Sequence, residues 1–232
     1  MASLSAMAGA FLVGCGVGAA GGSLQMRSLG QDPVVLSAKY VTAFYSDRGS
    51  PQISFLLADV GFEELLSGSV RRATVIHLDL LWVPEAGATP MDASATNATI
   101  RYVVIADGEV GVYGGAGFAL PRGALGDHML GILVEDASLA LLESTEGFVD
   151  LLSPARLTGR ATAVLDNQRM QQMHDSISRL VSDALGRRRF VLGESWPAVP
   201  NVRRPRRPEQ PALRPQEPLG FGVQGSVFGT TF

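Results

Sequence analysis

Apolar and polar residues alternate in several runs between residues 34 and 165, the period of strands with one covered face. Residues 34–46, VVLSAKYVTAFYS, are rich in β-branched and aromatic side chains and predict a first strand. Asp47 to Pro51 is a turn cluster, and residues 52–58 predict a second strand. Over 73–83, Ile76, Leu78, Leu80 and Trp82 share one face, and His77 and Asp79 share the other. The clearest local signal is Asp107-Gly108 between the runs 98–105 and 109–113. A two-residue hairpin turn needs positive φ, which glycine adopts freely. Gly114-Gly115-Ala116-Gly117 then predicts a break or bulge in the return strand. Residues 129–142, interrupted at Glu135-Asp136, and 157–165 complete about six strands.

Three stretches break the alternation. Phe62 to Leu66, stopped by Gly68, predicts one or two helical turns. Ser144-Thr145-Glu146 predicts a cap for a short helix over Phe148 to Leu152, ended by Pro154. The longest helix is expected from Asp166 or Asn167 to about Leu185, with Gly186 as its stop. Met170, Met173, Ile177, Leu180, Val181 and Leu185 form one apolar stripe on it, and Arg169, Gln172, Asp175, Arg179 and Asp183 lie mostly off it. The expected fold class is α+β, a mostly antiparallel sheet with a C-terminal amphipathic helix packed on it. The alternative is a β-sandwich with one appended helix.

The first charged residue is Arg27, and the neutral stretch before it holds Cys15, the only cysteine. Residues 6–20, AMAGAFLVGCGVGAA, have the length of a signal-peptide core, and Gly18-Ala19-Ala20 offers small residues for cleavage. The uncharged stretch is also long enough for an uncleaved membrane helix. Gly16-Val17-Gly18-Ala19-Ala20-Gly21 fits G-x-G-x-x-G, and Phe11-Leu12-Val13 offers a strand before it. The acidic residue expected downstream is absent, and the helix would have to run through Gly21-Gly22-Ser23, a poor helix former.

Within that stretch Leu12-Val13-Gly14-Cys15 resembles the lipobox of bacterial lipoproteins. The resemblance implies that the Cys15 thiol is acylated, that the signal is cut before it, and that lipid chains hold the protein on a membrane. No Lys or Arg precedes the apolar run, where such signals carry positive charge. The expected organisation is a leader or anchor over 1–30, a globular domain over 31–186 and a disordered Pro/Arg-rich tail over 187–232.

Charge is unevenly spread. From Gly186 onward eight Arg stand against three Glu, so the body is more acidic than the whole chain's −3. Arg187-Arg188-Arg189 and Arg203-Arg204-Pro205-Arg206-Arg207 read first as solvated linker and second as contacts for an anionic surface. Nucleic acid is not expected, since no aromatic residues interleave with the second cluster. The apolar end, Phe221 to Phe232, offers a strand for addition to a partner.

No motif announces a reaction. His77 and Asp79 lack a third ligand at zinc spacing, and a solvated sheet face explains them better. Asp127-His128 has no activated nucleophile on an elbow, and Ser67 reads as a turn residue. His174 reads as an interfacial helix residue. Gly111 to Gly117 lacks the Lys-Ser/Thr of a phosphate loop and reads as a bulged or twisted strand. Catalytic, metal and cofactor sites are therefore expected to be none, with Cys15 as the lipid attachment point. The expected role is that of a membrane-tethered, non-catalytic protein of the bacterial cell envelope, exposed outside the cytoplasm, with a binding, scaffolding or assembly function. Its expected partners are membrane lipid through the N-terminus and an envelope protein or anionic surface through the tail. The alternatives are a carrier of a lipid or other apolar ligand between sheet and helix, and a nucleotide-binding enzyme using Gly16 to Gly21.

Overall fold

The computed structural model describes residues 20–47, 53–84 and 96–187. They belong to the unit Met1–Glu194, and the unit Ser195–Phe232 lies outside the described residues. So do Cys15, Gly16, Gly18 and the tail from residue 188.

A nine-stranded sheet dominates, made of β1 (Gly21–Ser28), β2 (Val35–Tyr40), β3 (Thr42–Asp47), β4 (Ile53–Ala58), β5 (Arg72–Leu80), β6 (Ala98–Ala106), β7 (Glu109–Arg122), β8 (Met129–Ser144) and β9 (Ala155–Leu165). Two helices accompany it, α1 (Phe62–Ser67) and α2 (Asn167–Leu185). The expected class, mixed α and β with a mostly antiparallel sheet, is what forms. The sheet has more strands than expected and closes on itself. β3 to β8 pair in sequence, β9 pairs with β8, and β9 meets β3 through a short parallel contact at Phe44–Val164 and Tyr45–Leu165. Closure removes exposed strand edges along this ring.

β9 pairs with β1 on the same edge it offers to β3, over residues 155–162. The β1–β2 hairpin therefore occupies the length that β3 leaves. Two sequence expectations change here. The run 34–46 is not one strand: it bends at Val41, whose backbone N–H donates to the Ala58 carbonyl, so β2 pairs with β1 and β3 with β4. The sheet also begins at Gly21, ten residues before the expected boundary at 31. Leu24 and Met26 of β1 are buried in the core, which explains why a segment that reads as leader becomes strand. Gly159 makes this docking possible. Its φ is +140°, and a Cβ there would stand 2.4 Å from the Ser23 carbonyl oxygen.

The sheet buries residues on both faces. Inside the ring lie Tyr40, Tyr45, Phe55, Ile76, Leu78, Ile100, Tyr102, Tyr113, Ile132 and Leu157. Outside it, Phe44, Leu56, Val75, Val103 and Val112 form a second core with Met170, Met173, Ile177 and Val181 of α2. The apolar stripe of the long helix thus packs where its partner sheet offers a second apolar row. Asp166 caps that helix by accepting from the Arg169 N–H at 2.9 Å, and Gly186 stops it at φ 66°. Ser176 donates to the Leu65 carbonyl at 2.6 Å and ties α1 to α2.

The Asp107-Gly108 turn forms with φ 52° and 94° and joins β6 to β7 in the predicted register. Gly114 to Gly117 do not break β7. The strand continues to Arg122, with register shifts against β8 at Val112/Tyr113 and Phe118/Ala119. Glu135 and Asp136 sit at a register shift between β8 and β9, where the interruption was expected.

The helix expected over 148–152 does not form. Thr145 instead receives the Val110 N–H at 3.0 Å, and Phe148 turns inward against Tyr113. Asp150 accepts from the backbone of Leu152 and Ser153 and from the Tyr113 hydroxyl. Burial pushes its carboxyl up, but these three hydrogen bonds outweigh it and hold it below the usual carboxylate range. Polar side chains thus give this backbone partners that a helix would have supplied internally.

Candidate functional site

His77 and Asp79 do point to the same side of β5, as the alternation predicts, but that side is solvated only at Asp79, whose side chain is 43% exposed, and not at His77. α2 covers it. His77 is 5% exposed and His174 is 2% exposed, with ring centroids 5.5 Å apart. Asp79 lies 3.3 Å from His77 Nε2 and accepts from the Ser54 hydroxyl, while Asp175 lies 3.8 Å from His174 Nδ1. Desolvation pushes both imidazoles down, and together with the neighbouring His77 it brings His174 to about 4. At neutral pH the pair is therefore uncharged. It serves as a polar inlay in an apolar interface. No group of three or more His, Cys, Asp or Glu among the described residues is placed to hold a metal ion.

The remaining sequence candidates resolve into structure. The Asp127 side chain accepts from the Ala124 N–H at 3.0 Å, its carbonyl accepts from the Tyr45 hydroxyl, and the His128 carbonyl accepts from the Leu165 N–H. These bonds hold the turn before β8 against the β3–β9 closure. Ser67 donates to the Glu64 carbonyl at 2.7 Å at the end of α1. Gly111 gives its side-chain space to the Phe148 ring, and Gly115 allows the Ser138 carbonyl to approach. Gly21 opens β1, so the segment through which a dinucleotide helix would run is strand.

The sheet assembles one arrangement that the sequence does not advertise. A groove of about 850 Å³ lies on the outer face of β7, β8, β9, β1 and β2. Two rows of paired residues cross it. One runs Leu133–Arg160–Ser23–Lys39, the other Arg122–Gly131–Thr162–Gly21. Lys39, Arg122 and Arg160 are exposed, and no acidic residue lines the groove. None of the three enters an ion pair among the described residues. With strands about 4.8 Å apart, the Arg160 and Lys39 backbones stand roughly 10 Å from one another. Long side chains at that spacing can converge on one anion. Ser23 and Thr162 add hydroxyls, and glycines leave backbone exposed in the floor.

Sequence reasoning missed this site because its cations sit at positions 39, 122 and 160, on three different strands. The one available signal is that Lys39 is the only lysine in a chain whose body is acidic. Nothing in the spacing links it to the two arginines before the pairing of β2, β1 and β9 is known.

No protein-family model, no curated protein and no solved structure matches this chain.

Proposed function

We propose that this chain is a membrane-tethered, non-catalytic envelope protein whose folded body binds, scaffolds or assembles with partners outside the cytoplasm. The observation that carries the reading is the neutral leader with its sole cysteine, Cys15, standing six residues before β1 begins at Gly21. Six residues span at most about 20 Å when extended. An acylated Cys15 would keep the body close to the bilayer surface. No helix among the described residues is long and apolar enough to cross a membrane. In this reading attachment rests on the residues before Gly21. Each buried CH₂ of an acyl chain contributes about 0.8 kcal/mol, so two or more chains make the attachment stable.

The test is metabolic labelling with a palmitate analogue in a bacterial host, followed by membrane fractionation. Label and membrane association are expected for the native chain, and both are expected to disappear in Cys15→Ala. A native chain that stays unlabelled in the soluble fraction overturns the proposal.

A further inference from the structure

We propose that the outer groove of β7, β8, β9, β1 and β2 docks the phosphate headgroups of anionic phospholipids at the membrane surface, through Lys39, Arg122 and Arg160. This inference rests on the tethered reading for the membrane's presence, but its evidence is separate. Charge comes first. The groove gathers three exposed cations and no carboxylate on a body that is acidic as a whole. Like charges brought together by a fold repel one another, and none of these has a carboxylate partner among the described residues to offset that. An anion is what the arrangement complements.

Position comes second. Gly21, where the chain enters the fold from its leader, lines the groove itself. Whatever holds the leader at a bilayer brings this groove to the headgroup layer within the short reach of residues 15–20. Three basic residues elsewhere are engaged by carboxylates: Arg156 pairs with Asp136 at 2.6 Å, Arg72 with Asp107 at 2.8 Å and Arg187 with Glu143 at 3.0 Å. The three cations of the groove have no such carboxylate, and they lie beside the chain entry. The chemistry is a point charge from Lys39 and two guanidinium forks, with Ser23 and Thr162 as further donors. A phosphodiester headgroup presents oxygens that such a set can share.

Each cation near an anionic surface strengthens binding about fivefold, so the three together should act on the order of a hundredfold. The experiment uses the full chain, acylated or not as the host delivers it. It is partitioned onto vesicles of phosphatidylcholine alone and of phosphatidylcholine with phosphatidylglycerol, with flotation as the readout. The native chain should bind the anionic vesicles far more tightly, and salt should weaken that preference. Lys39→Gln/Arg122→Gln/Arg160→Gln should lose at least tenfold on anionic vesicles while keeping its binding to neutral ones. Should that triple variant fail to fold, Lys39→Glu and Arg160→Glu, each at an exposed position, provide the same reading singly.

Arg203→Gln/Arg204→Gln/Arg206→Gln/Arg207→Gln tests the tail. If this variant, and not the groove variant, removes the preference for phosphatidylglycerol, the proposal is overturned. Equal binding of the native chain to both vesicles also overturns it and leaves the tether standing. Absence of binding to either overturns both. A phosphatidylglycerol preference that the groove variant loses, without any binding to neutral vesicles, supports the groove and counts against the leader. Inorganic phosphate provides the last arm. If it raises the thermal midpoint of the native chain but not of the groove variant, while vesicle binding is the same for both, the site takes free phosphate and the docking proposal fails.

Discussion

Lowering the pH from 7 to about 4.5 should destabilise this fold through the buried histidines. His77 and His174 face one another across the sheet–helix interface, with Asp79, Asp175 and Arg101 as the charged groups around them. Desolvation holds His174 near 4, against about 6.5 for an imidazole in an unfolded chain. The sign follows from proton uptake. Between about 6.5 and 4 the unfolded chain binds protons that the folded chain refuses, so stability present above the unfolded value is lost as the pH falls. Full expression of the His174 difference corresponds to at most about 3 kcal/mol. Relaxation around a charged ring in a real protein interior reduces it, and about 2 kcal/mol by pH 4.5 is expected. His77 is displaced in the same direction and adds to the loss.

The assay is urea unfolding followed by far-ultraviolet circular dichroism at the two pH values. With a urea slope of about 2 kcal/mol/M, the midpoint should fall by about 1 M. His77→Leu/His174→Leu keeps the interface apolar and should flatten the response in this window. A native midpoint that does not move, or a fall that persists undiminished in the double variant, refutes the reasoning.

Three further perturbations test the packing. Asn97→Ala should cost about 2–4 kcal/mol, read by urea unfolding, because the Asn97 amide is fully buried and exchanges two 2.7 Å hydrogen bonds with the Ala119 backbone that nothing else would replace. Met173→Ala should cost about 2–5 kcal/mol, since Met173 sits at 0% exposure in the core between α2 and the sheet. A loss below about 1 kcal/mol would mean that the helix is not held there. Gly159→Val should detach β1 from β9, because a branched side chain meets the Ser23 carbonyl and the Leu24 backbone; protease cleavage within residues 21–40 reports it, and a cleavage rate unchanged from the native chain contradicts the β1 docking.

Local signals in the sequence were legible where one residue type decides one geometry. Asp107-Gly108 specifies its hairpin, and Asp166 and Gly186 bracket α2, because caps and positive-φ turns act over a few residues. The alternation of β5 placed His77 and Asp79 on one face correctly. It could not say that α2 covers that face, since period two reports sides of a strand and not what lies over them. β1 was hidden for a related reason. Gly21 to Met26 are uncharged and continue the composition of the residues before them, and only their pairing with β2 and β9 makes them strand. Val41 bends the run 34–46 without any breaker residue, because β2 and β3 have different partners. The Ser144–Glu146 cap signal was real chemistry used otherwise: Thr145 serves the Val110 backbone instead of a helix start. The cationic groove was the least legible, for its three charges meet only when the ring of strands closes.

The tether is tested most directly by the intact mass of the chain recovered from a bacterial membrane fraction. A chain that begins at Cys15 and carries the added mass of acyl groups is expected. A chain retaining the residues before Cys15, with no added mass and found in the soluble fraction, would contradict it.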